Sequence, residues 1–172
     1  YHLYNRGNSK QKIFRDKNDY KRFVNLLYLA NSSKKFELRN IKKDIFDTDL
    51  GIKLVSVGAY CLMPNHFHIL ITEKEDGNIS KFMQKLCTAY SMYFNKKYKR
   101  SGTLFEGKFK SEHADEDRYL KYLFSYIHLN PIKLIQSDWK EKGISNIAKT
   151  KKFLDEYDYS SYLANKGIDR VE

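Results

Sequence analysis

Two hydrophobic periods alternate along this chain, and together they lay out its elements. Residues 1–8 read as a short strand closed by the turn signal Gly7-Asn8. From Asp19, read as an N-cap, Tyr20, Phe23, Leu26, Leu27 and Ala30 recur at helical spacing until Asn31-Ser32-Ser33. Residues 33–52 are charged and irregular and read as a partly helical insertion. Lys53 to Leu62 is rich in Val and small residues and predicts a second strand. A tight turn at Met63-Pro64-Asn65 then leads into a third strand that begins at His66. After the turn Asp76-Gly77-Asn78, a clean apolar stripe of Ile79, Phe82, Met83, Leu86, Tyr90 and Phe94 predicts a core-facing helix. The basic run Lys96-Lys97-Tyr98-Lys99-Arg100-Ser101-Gly102 follows it.

Residues 103–114 read as a loop and a fourth strand, with Lys108 and Lys110 on one face and Phe109 on the other. Asp115 caps a further helix whose buried stripe is Tyr119, Leu120, Leu123, Phe124 and Ile127. Asn130-Pro131 ends it, because a residue before proline avoids the α region. Residues 132–172 wrap the domain. The resulting order, β-α-β-β-α-β plus an added C-terminal helix, is an α+β, ferredoxin-like (RRM-like) antiparallel sheet formed by one domain over residues 1–172. In that fold the first and third strands are central, and both crossover helices cover one face. The added helix is then the natural cover for the other.

Charge narrows the class of partner. Lys and Arg number 32 against 21 Asp and Glu, a net charge of +11, which favours a polyanion and above all nucleic acid. Aromatic residues make up 15% of the chain, enough to supply base-stacking surfaces besides the core. Cys61 and Cys87 sit in apolar segments without metal-motif spacing and read as buried thiols of a reducing compartment. No apolar run reaches membrane-spanning length, so no membrane contact and a cytoplasmic location are expected.

The third strand carries the candidate chemistry. Alternation turns Phe67, Ile69 and Ile71 to one face and His66, His68 and Leu70 to the other, with the two imidazoles about 6.5 Å apart by Cα. A locally hydrogen-bonded surface pair is one reading; shared ligation of a divalent ion is the other. Tyr126 and Asn130, at i and i+4 on the added helix, share one of its faces, with Tyr119 and Tyr122 on or near that side. Two neutral histidines and one oxygen ligand can hold Mg²⁺ or Mn²⁺ with positions left open. Beside such an ion, a tyrosine can attack a phosphodiester. Packing against the sheet is the alternative for Tyr126, and a helix C-cap for Asn130.

These residues also carry a resemblance. His66-Phe67-His68 resembles the His-hydrophobe-His motif of the HUH single-strand DNA endonucleases. Tyr126-Ile-His-Leu-Asn-Pro131 is similar to the nucleophile helix of single-tyrosine transposases, most closely the REP-associated branch. Asn5-Arg6-Gly7-Asn8, Ile13-Phe14-Arg15-Asp16, Leu62-Met-Pro-Asn-His-Phe-His68, Ser101-Gly-Thr-Leu-Phe-Glu-Gly-Lys108 and Tyr159-Ser-Ser-Tyr162 extend the likeness over nearly the whole chain. The chain departs from the family pattern in the long 33–52 segment and in opening directly on the first strand.

The resemblance implies metal-dependent nicking and rejoining of single-stranded DNA beside hairpin elements, through a 5′-phosphotyrosine on Tyr126. His66, His68 and Asn130 are the implied Mg²⁺ or Mn²⁺ ligands, Asn130 standing where other branches carry Gln. Some relatives are dimers and some monomers, so a homodimer is one implied state. Arg6, Lys97, Arg100, Lys108 and Lys110 are the expected phosphate contacts. A catalytically silent DNA- or RNA-binding regulator on the same fold is the alternative, and a small-phosphoester metallohydrolase a third.

Overall fold

A computed structural model describes residues 1–36, 41 and 44–167. Its centre is a four-stranded antiparallel sheet in the order β2-β3-β1-β4. The strands are β1 (His2–Arg6), β2 (Val55–Met63), β3 (His66–Glu73) and β4 (Lys110–Glu112). The first and third strands are central, as expected for this fold. Leu3, Phe67, Ile69 and Ile71 point to one face and enter the larger core with Phe23, Leu26, Phe82, Leu86, Tyr90 and Phe94. Those last six belong to α1 (Lys17–Ala30) and α2 (Asn78–Lys97). Burying each such side chain is worth about 1.5–3 kcal/mol, so this face carries most of the fold's hydrophobic driving force.

The opposite face is covered by α3 (Asp117–Leu129). Leu123 and Ile127 of α3 pack on Ala59, Cys61, Met63 and Leu70. Three short helices follow: α4 (Trp139–Lys142), α5 (Ile147–Asp155) and α6 (Tyr162–Asn165). The chain between α5 and α6 closes the exposed edge of β2. Leu62 N–H donates to the Tyr159 carbonyl (2.8 Å), Ser161 N–H to the Tyr60 carbonyl (3.0 Å), and the Tyr157 hydroxyl to the Leu62 carbonyl (2.7 Å). An uncovered edge would invite pairing with another chain. Among the described residues no helix is long and apolar enough to cross a membrane.

Four sequence expectations are corrected. The N-cap of α1 is Asp16, not Asp19: the two form a capping box, with Asp19 as its third helical residue. The fourth strand shrinks to Lys110–Glu112, preceded by a loop in which Gly107 has a positive φ. The buried stripe of α3 narrows to Leu123 and Ile127, while Leu120 and Phe124 are 40% and 37% exposed. Asn130 does adopt α-region dihedrals (φ −53°, ψ −38°), and the chain runs on as a 3₁₀ turn, Asn130–Leu134. Pro131 sits in the first turn of that short helix, where no N–H is needed. The 33–52 insertion lies partly outside the described residues. Its described part includes a 3₁₀ turn, Ile45–Asp47, whose Phe46 carbonyl accepts from the Tyr28 hydroxyl (2.7 Å).

Candidate active site

The turn before β3 is fastened from the chain after β1. Gly7 N–H donates to the Asn65 carbonyl (2.8 Å), and Ile13 and Phe14 N–H donate to the Pro64 carbonyl (2.9 and 3.1 Å). Only glycine fits at position 7, since a Cβ there would lie 2.2 Å from the Gln11 carbonyl oxygen. This clasp sets the start of β3 and hence the direction of His66.

His66 and His68 share the α3 face, with ring centroids 5.1 Å apart and planes at 88°. His66 Nδ1–H donates to Asn65 Oδ1 (2.7 Å), which leaves its Nε2 with the lone pair. His68 Nδ1 meets His2 Nε2 at 2.9 Å, and the two rings stack at 5.1 Å. Burial, with the Lys133 charge nearby, pushes His66 down to about 4, against the opposing effect of the Asn130 side chain. Burial also holds His68 well below the ordinary histidine range, helped by the neighbouring His66. Both rings are therefore neutral at pH 7, the state in which imidazole ligates metals.

The α3 helix delivers the other members. The Tyr126 ring stands edge-on to His68, centroids 5.6 Å apart at 72°. Asn130, one turn on, is buried as the C-cap, and its side chain raises the proton affinity of the His66 ring against burial. Thus the four residues predicted from two distant segments are brought together. Tyr119, Tyr122 and Tyr126 form a ladder of near-parallel rings, 6.3 and 6.0 Å between successive centroids. Two imidazoles and a carboxamide are a neutral donor set of the kind that suits a divalent cation retaining open positions. Among the described residues no group of three or more His, Cys, Asp and Glu offers a rival site.

A cleft of about 940 Å³ opens in front of His66, His68 and Tyr126. Arg6, Lys10, Lys12, Lys108, Lys110 and Lys133 line it, against the single acid Glu106. Three of the expected phosphate contacts, Arg6, Lys108 and Lys110, therefore face the site, although Arg6 is ion-paired to Glu106. The other two do not. Lys97, at the end of α2, holds Asp16 and the fully buried Asp19, each at 2.7 Å. Arg100 lies over the Phe94 ring at 5.6 Å. Sequence reasoning missed Lys10, Lys12 and Lys133, and also Lys140, whose ammonium sits 4.0 Å above the Tyr126 ring. For Lys133 a signal existed: it lies one turn beyond Asn130.

A larger cavity, about 1240 Å³, lies elsewhere, between α1, the start of β2 and the 3₁₀ turn at Ile45–Asp47. It contains none of the histidines or Tyr126, so size alone does not locate the chemistry.

Comparison with known proteins adds three findings. Residues 1–130 match the family model described as transposase IS200 like. A solved structure of a REP-associated tyrosine transposase bound to a REP hairpin superposes with a TM-score of 0.53 at 10% identity, covering 98% of this chain and 80% of that one. At that identity the likeness is one of fold. No curated protein sequence matches the chain.

Proposed function

The chain belongs to the family of IS200-like transposases, and we propose that it nicks and rejoins single-stranded DNA at sites flanked by hairpins. Tyr126 is the nucleophile. Its phenolic oxygen attacks phosphorus, a tyrosine–phosphate ester forms at the 5′ end, and the P–O3′ bond breaks. The departing oxygen takes a proton to become a free 3′-hydroxyl. Rejoining runs the same exchange backwards with another 3′-hydroxyl, one phosphoester for another, so no nucleotide triphosphate is consumed.

The observation that carries this reading is the placement of Tyr126, edge-on to His68 at the back of a cationic cleft. His66, His68 and Asn130 would hold a Mg²⁺ or Mn²⁺, which when bound polarises the phosphodiester and stabilises charge on the leaving oxygen. Lys108, Lys110 and Lys133 bind the flanking phosphates as point charges. The half-buried Tyr126 ring is held between His68 and the Lys140 ammonium, which limits the directions from which it meets the strand. The hairpin preference is taken from the DNA bound by the structural neighbour.

The test is incubation with end-labelled single-stranded hairpin DNA from the flanks of the coding sequence, with Mn²⁺ or Mg²⁺. A covalent adduct that resists denaturation, needs the metal and is lost in Tyr126→Phe is the expected result. Tight binding with no adduct over several hairpins would replace this reading by that of a silent DNA-binding module.

A further inference from the structure

His2 takes no part in the exchange just described, yet its side chain is only 5% exposed and lies against the face that carries Tyr126. It is placed by sheet register. On β1 it pairs with Leu70 of β3 on one side and with Glu112 of β4 on the other. Its Nε2 lies 2.9 Å from His68 Nδ1. Its Nδ1 is buried with no hydrogen-bond partner, and the Glu112 carboxylate lies 3.8 Å away. Glu112 is in turn fixed by the Tyr4 hydroxyl (2.8 Å) and the Tyr119 hydroxyl (3.2 Å). A line of polar groups thus crosses three adjacent strands and ends on His68.

That line has one sensible direction for its protons. A neutral imidazole carries a single N–H, so one of the two facing nitrogens donates and the other accepts. If His2 donated from Nε2, its bare Nδ1 lone pair would face a carboxylate, and the His68 proton would sit on Nε2. If His68 donates from Nδ1, the His2 proton moves to Nδ1 and points at Glu112. Only the second arrangement has a favourable interaction at both ends.

We infer that His2, backed by Glu112, is a positioning residue that holds His68 as its Nδ1–H tautomer and so leaves the His68 Nε2 lone pair free for a ligand. His66 reaches the same state through a simpler device, the Asn65 carboxamide one residue earlier. The two histidines therefore present the same nitrogen by different supports. His68 takes its support from His2 because its register partner on β1, Tyr4, has no carbonyl or amide side chain. The consequence for a cation rests on the reading under Proposed function; the tautomer does not. A partner on the non-ligating nitrogen of a metal-bound histidine fixes ring orientation and raises its basicity, and losing such a partner weakens metal affinity about 10- to 100-fold.

The experiment uses the whole protein with ¹⁵N-labelled histidine. Long-range ¹H–¹⁵N spectra of the metal-free protein near pH 7.5 should show His68 protonated at Nδ1. In Glu112→Gln, an exposed position where folding is not at risk, the amide can donate to His2 Nδ1. That reverses the line, and His68 should shift towards the Nε2–H form. His2→Gln, whose carboxamide can accept from His68 and donate to Glu112, should preserve the Nδ1–H form, whereas His2→Leu should lose it. In parallel, calorimetric titration with Mn²⁺ should show His2→Leu weaker by about 10- to 100-fold and His2→Gln close to the unsubstituted protein. His68 protonated at Nε2 in the unsubstituted protein, or a tautomer indifferent to Glu112→Gln, overturns the inference. An unsubstituted protein that keeps the Nδ1–H form but takes up no Mn²⁺ supports the assignment of His2 and sinks the metal reading of the site instead.

Discussion

Removing Lys110 and Lys133 together should flatten the salt dependence of single-strand DNA binding by an amount the structure sets. Six cations line the cleft, and Arg6 is already paired with Glu106. The remaining five, Lys10, Lys12, Lys108, Lys110 and Lys133, have no ion-pair partner among the described residues. Each phosphate neutralised on a single strand contributes about −0.7 to the slope of log K against log salt, so five predict a slope of about −3.5. Lys110→Ala/Lys133→Ala should bring it to about −2. At 0.1 M salt each lost contact weakens binding about fivefold, hence about 25-fold for the pair, and the difference should fade as salt approaches 1 M. Fluorescence anisotropy with a labelled hairpin carrying a single-stranded flank, read over a salt series, measures both quantities. Lys97→Ala is the control, since Asp16 and Asp19 occupy its ammonium. A slope unchanged in the double variant, or flattened just as much by Lys97→Ala, would refute the assignment of this cleft to the phosphates.

Lys97→Met should instead lower stability, because Asp19 is buried and keeps only the Arg15 and Asp16 N–H groups and the Tyr93 and Tyr98 hydroxyls, with no cation to balance its charge. The expected loss is about 1–3 kcal/mol, read as a fall in Tm of about 2–4 °C per kcal/mol; an unchanged Tm contradicts it. Stability should also decline in mild acid. His2, His66, His68 and His128 are all held below the ordinary histidine value, chiefly by burial, so the unfolded chain binds protons that the folded one refuses. Their contribution is complete above pH ~6.5 and is lost as the pH falls towards the value of about 4 at His66, so metal-free Tm should drop across that window; a flat profile there counts against neutral buried rings. Tyr122 is 58% exposed and parallel to Tyr126, so Tyr122→Ala should weaken single-strand binding by about 1–3 kcal/mol through lost base stacking while leaving Tm unchanged. Equal affinity in the variant would remove the tyrosine ladder from the DNA path.

Much of the site was legible because it depends on local periods. Alternation alone put His66 and His68 on one face of β3 and Phe67, Ile69 and Ile71 on the other, and helical spacing put Tyr126 beside Asn130. What escaped depends on contacts between distant segments. Lys97 reads as a free cation in a basic run, and nothing in that run announces Asp16 and Asp19, about 80 residues earlier. His2 and Glu112 are joined to His68 only through strand register, although the alternation His2, Tyr4, Arg6 already marked a polar face on β1. The α3 stripe was read too wide for a similar reason. Period predicts which positions share a side, but the breadth of the seat is decided by the sheet, and here it takes Leu123 and Ile127 while Tyr126 reaches the cleft.

Under the proposed function one particular hydroxyl, that of Tyr126, does the chemistry. Tyr4, Tyr119, Tyr122 and Tyr126 crowd the same side of the molecule, so an adduct alone does not identify its source. Protease digestion of the trapped protein–DNA adduct, followed by fragmentation mass spectrometry, reads which tyrosine carries the phosphate. The mass of the nucleotide should fall on Tyr126 alone; its appearance on Tyr122 or another tyrosine would contradict the assignment of Tyr126 as nucleophile.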